Sequence, residues 1–149
     1  MKDVARAVRD TVNEVLGLLS RMKSAEVSAR SSPDKWCKKE ILGHLIDSAA
    51  NNHQRFVRAA YKAAADYPPY SQNDWVRIQG YAESDWSDMV TLWAAYNKHL
   101  SNVLERLPED AYSAPVNIGK EEPATLEFVA RDYVRHLRHH VDQLMQKGN

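Results

Sequence analysis

Three of the six histidines fall within five residues, in Arg131-Asp-Tyr-Val-Arg-His136-Leu-Arg-His139-His140-Val-Asp-Gln143. His136 and His140 are four residues apart, about 40° around a helix and one turn along it, so their imidazoles project from one face as a two-point grip for a metal. A third ligand has to come from elsewhere. His44, inside Glu40-Ile-Leu-Gly-His44-Leu-Ile-Asp47, is the best-placed candidate. Three neutral imidazoles suit zinc, nickel, iron or copper, and a three-ligand site keeps open positions for water or substrate. Such a site is catalytic in form: bound water could approach a pKa of about 7 and act as nucleophile, or a thiolate substrate could be activated for transfer. The competing reading is a metal-free structural bundle whose histidines are hydrogen-bonded core residues.

The other residues with chemical potential are ranked by their distance from that triangle. His139 lies about 60° from His136 on the other side and is expected to face solvent or a subunit contact. His53 and His99 have no second histidine at helical spacing and read as packing and surface residues. Metal-bound imidazoles usually donate their second N–H to a carboxylate or carbonyl, and Asp47, Asp132 and Gln143 sit near His44, His136 and His140 for that purpose; ordinary exposed helix polars are the alternative. Arg55 lies about 16 Å from His44 along a helix, too far to touch a metal, and is either structural or substrate-anchoring. Cys37 occupies the first position of Cys37-Lys-Lys-Glu40, which has the spacing of a capping box. A helix N-terminus lowers a thiol pKa, so Cys37 is either a substituted cap or a reactive thiol.

The elements that must position these residues are helices. Val4, Val8, Val12, Val15, Leu16, Leu19 and Met22 give one amphipathic helix, ended by the turn-rich run Ser28-Ala-Arg-Ser-Ser-Pro-Asp-Lys and a loop of about ten residues. A second helix opens at Cys37 and keeps its period for about 25 residues. On it His44, Asp47, Ser48, Asn51 and Arg55 form a polar stripe with no Lys or Glu, which implies that its first half is partly buried against something polar. The stretch from Ala65 to Trp75 has two adjacent prolines and no sustained period, so it must leave the helix and cross the bundle. Its Tyr67, Tyr70 and Trp75, with Tyr81, are expected to fold back as a lid. A third helix runs from an N-cap at Ser84 to Leu107, where Pro108 stops it. Residues 108–123 read as a surface loop with room for a short extended piece, and a fourth helix runs from an N-cap at Thr125 to about Gln146. No strand pair is convincing. The expected fold is therefore all-α, a single domain over residues 1–149 built as a four-helix bundle with long crossover connections, for which an antiparallel arrangement is the simplest packing.

Composition excludes several functions. Lys plus Arg and Asp plus Glu are 20 each in 149 residues, so no net field draws in nucleic acid. No window approaches the roughly 20 apolar residues of a membrane span, and Met1-Lys-Asp-Val-Ala-Arg lacks the apolar core of a signal peptide; the expected compartment is the cytoplasm. The one cysteine rules out an internal disulfide.

Trp36-x-x-x-Glu40-Ile-Leu-Gly-His44-Leu-Ile-Asp47 with Asn52-His-Gln-Arg55-Phe, then Gln72-Asn-Asp-Trp75-Val with Tyr81 and Trp86, then Asp132-Tyr-Val-x-His136-Leu-x-His139-His140-x-x-Gln143 resemble, in that order, the DinB-like (DNA-damage-inducible, YfiT-like) metalloenzyme family over essentially the whole chain. The resemblance implies a four-helix bundle holding one divalent ion, nickel or zinc first and iron or manganese next, on one histidine of the second helix and two of the last; these map to His44, His136 and His140. Cys37 stands where relatives usually carry Ser or Thr. Some similar proteins are thiol-dependent transferases or isomerases, so the implied activity is that of a metal-dependent hydrolase or thiol transferase, with a low-molecular-weight thiol as a candidate substrate. The alternative is a non-catalytic metal-binding or interaction bundle. Four tryptophans and seven tyrosines are more aromatic surface than a core of this size readily hides, and relatives often pair, so a homodimer is expected.

Overall fold

The apolar period of the first segment produces α1 (Lys2–Leu19), which buries Val4, Val8, Val12, Val15 and Leu19 on one face. A computed structural model provides the coordinates and describes residues 1–61, 65–66, 69–119 and 121–146. α1 ends three residues before the expected Met22, and a five-residue helix, α2 (Ser24–Ser28), buries Val27 inside the linker that follows. α3 (Lys38–Tyr61) starts at the capping-box sequence, where the Cys37 backbone N–H donates to Glu40 Oε2 at 2.8 Å. The Cys37 side chain is buried, and burial pushes its thiol pKa up, against the effect of the helix terminus. Cys37 is thus a packed cap residue and not an activated nucleophile. α5 (Trp86–Arg106) is capped by Asp85, one residue past the expected Ser84, and α6 (Leu126–Met145) by Thr125, whose Oγ1 accepts the Phe128 N–H at 3.1 Å. Between α3 and α5 in sequence, α4 (Gln72–Gln79) occupies the predicted crossover.

The four long helices pack as α1 on α5 and α6, and α3 on the same two partners. Contacts along their lengths fix the directions. Arg9 meets Glu105 while Trp86 Nε1 reaches Leu19 O, so α1 and α5 are antiparallel. Asp3 meets Arg131 and Thr11 meets Arg138, so α1 and α6 are parallel. Lys39 meets Ala82 and His53 meets Tyr96, so the chain runs the same way through the start of α3 and of α5. The all-antiparallel arrangement therefore does not hold. Because α3 and α5 point the same way, the chain must travel back about 36 Å, the length of a 24-residue helix, before α5 can begin. The connection between α3 and α5 makes that journey, and its described part from residue 69 to 85 includes one short helix.

The crossover is not a bare loop. Ser71 Oγ caps α4 by accepting from the Asp74 N–H, and Gly80, at φ 63°, stops it in the left-handed conformation that glycine adopts without strain. A 3-10 turn, Tyr81–Glu83, then drops the Tyr81 ring onto Gly43 of α3. A Cβ on Gly43 would lie 2.1 Å from Tyr81 Cδ2, so only glycine admits this contact. Tyr81 is buried and Tyr70 is half-buried, its ring 4.9 Å from that of Trp75, which is 38% exposed. Tyr67 lies outside the described residues.

The expectation of no strand pair is corrected by a small sheet. β1 (Ala65–Asp66) runs parallel to β2 (Pro115–Asn117), which pairs antiparallel with β3 (Ala124–Thr125). Strands of two or three residues are too short to show an alternating pattern in sequence. The apolar core between the long helices includes the fully buried Phe56, Trp93, Leu100 and Leu137, each such side chain worth about 1.5–3 kcal/mol. It also absorbs Trp86, Tyr81 and Tyr133, with Trp36 half-buried against it. Among the described tryptophans and tyrosines, Tyr61 and Trp75 stay exposed. Among the described residues, no helix is long and apolar enough to cross a membrane.

Candidate metal centre

α3 is enclosed at its first half: residues 42–49 are buried on every side, because α5 and α6 cover two faces and α2, α4 and the Tyr81 turn cover the rest. The polar stripe inferred from sequence therefore needs polar partners, and α6 supplies them. α6 runs antiparallel to α3, which sets His140 and His136 opposite His44. His44 Nε2 lies 3.0 Å from His136 Nε2. Ring centroids are 5.0 Å apart for His44 and His136, 4.8 Å for His44 and His140, and 4.5 Å for His136 and His140. Ligand atoms of the three all lie within 4.8 Å of one another. His44 is fully buried, with the Trp36 ring 5.2 Å away; the other two are half-buried.

Burial keeps these imidazoles neutral. It pushes the His44 pKa down to about 3 and the His136 pKa down to about 4, with the neighbouring histidines adding to both, and it lowers that of His140 as well. The hydrogen bonds then assign protons. Gln143 Oε1 is an acceptor and lies 2.8 Å from His140 Nδ1, so that nitrogen carries the hydrogen and Nε2 presents a lone pair. The amide nitrogen of Gln143 meets His139 Nε2 at 3.1 Å, which holds the exposed His139 outside the cluster. His136 Nδ1 faces Ser48 Oγ at 3.4 Å, leaving its Nε2 toward His44. Two Nε2 atoms at 3.0 Å share one hydrogen when alone. The same spacing suits two ligands of a single ion, since bonds of about 2.0–2.1 Å at angles of 90–110° separate the nitrogens by roughly 2.9–3.4 Å. The donor set, its neutrality and its inward lone pairs fit a divalent ion with nitrogen preference.

The other anticipated residues are distributed less simply. Gln143 hydrogen-bonds His140. Asp47 is buried, but its Oδ1 accepts from Tyr81 Oη at 2.7 Å and from Gln79 Nε2 at 2.6 Å; it makes no hydrogen bond to His44. His44 Nδ1 and Asp47 Oδ2 are both buried without a hydrogen-bond partner among the described residues. Asp132 Oδ1 takes Arg135 Nε and Nη2 at 2.9 and 2.6 Å and does not bond His136. Burial raises the Asp47 pKa, and pushes the Tyr70 hydroxyl up to about 12. Ser48 and Gln79 are members of this environment to which sequence reasoning gave no role, Ser48 being visible only in the α3 stripe, one turn after His44; Tyr81 was expected in the lid, without its bond to Asp47.

A cavity of about 200 Å³ opens beside His136 between α3, α6 and the crossover. Ser48, Asn52, Arg55, Tyr70 and Asp132 give it polar walls, and Ile118, Phe128 and Val129 apolar ones. Elsewhere on α3, His53 lies with its ring 5.1 Å from that of His99 on α5 and its Nδ1 3.2 Å from Tyr96 Oη. That pairing crosses helices, which is why no helical spacing announced it.

A sequence profile described as the DinB superfamily matches residues 7–144. Among solved structures, YfiT from Bacillus subtilis, a probable metal-dependent hydrolase with an unusual four-helix bundle topology, superposes with a TM-score of 0.84 at 20% identity, covering 96% of this chain and 83% of that one. A mycothiol-dependent maleylpyruvate isomerase superposes with a TM-score of 0.78 at 15% identity; the match covers 96% of this chain and 60% of the isomerase. No curated protein gives a significant sequence match.

Proposed function

This chain belongs to the DinB superfamily, and on that premise we propose that it is a divalent-metal-dependent enzyme of hydrolase or thiol-transferase type, with His44, His136 and His140 holding one nickel or zinc ion. The observation that carries this reading is the convergence of three neutral imidazoles from two helices, two Nε2 atoms 3.0 Å apart, with His136 at the wall of a cavity. A bound divalent ion supplies Lewis acidity, enough to activate a water or a thiol at neutral pH. The chain's own residues do the rest. Gln143 fixes the proton of His140 on Nδ1, and Ser48 faces Nδ1 of His136, so the rings keep one tautomer and one orientation. Phe128, Val129 and Ile118 give one side of the cavity an apolar surface. Tyr70, held protonated, offers a hydroxyl to whatever lies there. A low-molecular-weight thiol is the candidate co-substrate, by analogy of fold with the mycothiol-dependent isomerase.

One observation favours the second reading, a non-catalytic metal-binding bundle. Among the described residues no carboxylate is hydrogen-bonded to any of the three imidazoles, and Asp47 and Asp132 are committed to Tyr81, Gln79 and Arg135. The test common to both is metal analysis of untagged protein purified without chelator. About one nickel or zinc per chain is the expected result; a value near zero that dialysis against either ion does not restore would dispose of both. Turnover of a thiol-dependent reaction by the loaded protein then separates them. A cytoplasmic homodimer completes the proposal, and sedimentation at the 17.0 kDa chain mass instead of twice that would remove the dimer.

A further inference from the structure

The two histidines of α6 each have a neighbour for the nitrogen turned away from the cluster, Gln143 Oε1 at His140 Nδ1 and Ser48 Oγ at His136 Nδ1. His44 is the most deeply buried of the three, and its Nδ1 meets no hydrogen-bond partner among the described residues. Resting on the metal-centre reading, we infer that Asp47 is the acceptor for His44 Nδ1 through Oδ2, and that Tyr81 and Gln79, which hold the other oxygen of that carboxylate, make the crossover a positioning element of the metal centre.

The hydrogen count of the ring requires such an acceptor. A neutral imidazole carries one N–H, so a histidine that ligates through Nε2 bears its hydrogen on Nδ1. His44 Nε2 is the atom that meets His136 Nε2 at 3.0 Å, so ligation by His44 turns its Nδ1 into a buried donor. A buried N–H left without an acceptor weakens the site by the cost of its lost hydration. The Trp36 ring, 5.2 Å from that of His44, closes one side and has only a donor to offer. Asp47 is 2% exposed, and its Oδ2 is the one buried side-chain oxygen without a hydrogen-bond partner among the described residues. Residues three apart on a helix have Cβ atoms about 5–6 Å from each other, within reach of a hydrogen bond carried by one water. A carboxylate in that place also raises the basicity of the imidazole it accepts from.

The carboxylate is held from its other side by the crossover. Oδ1 accepts from Tyr81 Oη at 2.7 Å and from Gln79 Nε2 at 2.6 Å, and Tyr81 Oη also lies 3.0 Å from Gln79 Oε1. Those two residues flank Gly80, where α4 stops, and the Tyr81 ring sits on Gly43, the residue before His44. One short stretch of crossover thus fixes both the backbone next to His44 and the carboxylate one turn on. The link works in both directions. Whatever orients Asp47 for His44 strengthens metal binding, and ligation that keeps the His44 hydrogen on Nδ1 strengthens the seat of the crossover on α3.

The test measures zinc affinity by chelator competition, the histidine ring nitrogens by long-range proton–nitrogen NMR, and amide hydrogen exchange, in wild type, Asp47→Asn, Tyr81→Phe and the double variant. Asp47→Asn is expected to bind zinc about tenfold or more weakly than wild type. Tyr81→Phe keeps the ring on Gly43 and removes only the hydroxyl, so it should weaken zinc by less, and the double variant should lose no more than Asp47→Asn alone. Zinc-loaded wild type should show His44 with its hydrogen on Nδ1, at a resonance that shifts in both single variants; a merely structural role for Asp47 would leave that resonance in place. Zinc should also slow amide exchange over residues 72–83 in wild type and not in Asp47→Asn. Zinc affinity within about twofold of wild type in a folded Asp47→Asn protein would overturn the inference, and so would an unshifted His44 resonance in Tyr81→Phe. Crossover amides that exchange equally with and without zinc would overturn it in wild type alone, which covers an Asp47→Asn chain that does not fold. Wild type that takes up no zinc would remove the metal-centre reading and this inference with it, whereas zinc uptake indifferent to Asp47 and Tyr81 would remove this inference alone.

Discussion

α3 carries histidines on opposite faces. His44 turns toward α6, and His53, nine residues later and about 180° around the helix, turns toward α5. Both meet another histidine with ring centroids close to 5 Å apart, 5.0 Å for His44 and His136 and 5.1 Å for His53 and His99. What differs is everything around the pair. His44 is sealed, has a third imidazole 4.8 Å away, and its partner His136 borders a cavity. His53 is half-buried, its partner His99 is exposed, and its Nδ1 is engaged by Tyr96. A pair of histidines is thus an insufficient description of a site; the number of converging lone pairs and the dryness around them decide what it can bind.

The largest expected effect tests that contrast directly. Metal binding stabilises the folded state by about 2.7 kcal/mol at a hundredfold excess over Kd, or roughly 5–10 °C in Tm for a chain of this size. His44→Ala, His136→Ala and His140→Ala should each lose most of the shift that nickel or zinc produces in melting curves. His53→Ala, His99→Ala and His139→Ala should keep it. Equal shifts in all seven proteins would erase the distinction between the two faces.

Next in size is the packing that encloses His44. Gly43→Ala would push a methyl to within 2.1 Å of the Tyr81 ring, and overpacking of that kind costs about 1–3 kcal/mol. Urea denaturation of the metal-free variant should show a lowered midpoint, and adding Tyr81→Ala should not lower it by the full sum of the two single changes. An unchanged midpoint would mean that the Tyr81 turn does not seat on α3.

Gln143→Leu should follow. It removes the acceptor at His140 Nδ1, and loss of such a bond typically weakens metal affinity by about tenfold or more, while the apo protein should be little affected. A competition titration with a zinc chelator measures it, and wild-type affinity would show that the His140 ring is oriented by packing alone.

The smallest effect is on pH dependence. His44 titrates at about 3 in the folded protein, below its ordinary 6.5, so between those values the unfolded chain holds a proton that the folded one refuses. Stability is then complete above 6.5 and falls as the pH drops, by about 1 kcal/mol for one such group between pH 6.5 and 5.5. Metal-free wild type should lose stability over that range, and His44→Gln should flatten the loss more than His53→Gln does. Identical slopes for the two variants would contradict the difference in burial.

How much of this was legible beforehand follows from the range of the forces involved. The four long helices, the cap at Thr125 and the shared face of His136 and His140 are written in local spacing, because a 3.6-residue period is imposed by backbone geometry whatever surrounds it. His44 was the best-placed third candidate on the residues alone, the family resemblance added to it, and the lysine-free stripe after it already required a polar partner. Other features depend on residues far apart in the chain, and no local pattern encodes them. The parallel course of α3 and α5 lengthened the crossover and created α4. Gly43 looked like any helical glycine until Tyr81 filled the space over it. Asp47 stood one turn from His44 in sequence, yet Tyr81 and Gln79, more than thirty residues away, compete for its carboxylate and win. His53 and His99 meet only because α3 and α5 lie side by side, and Arg55 reaches the cavity of His136 only because α6 runs antiparallel to α3. Sequence determined which faces were apolar and which residues could bind; helix direction and packing decided which of them share a site, because convergence in space is set by the whole core and not by spacing along one helix.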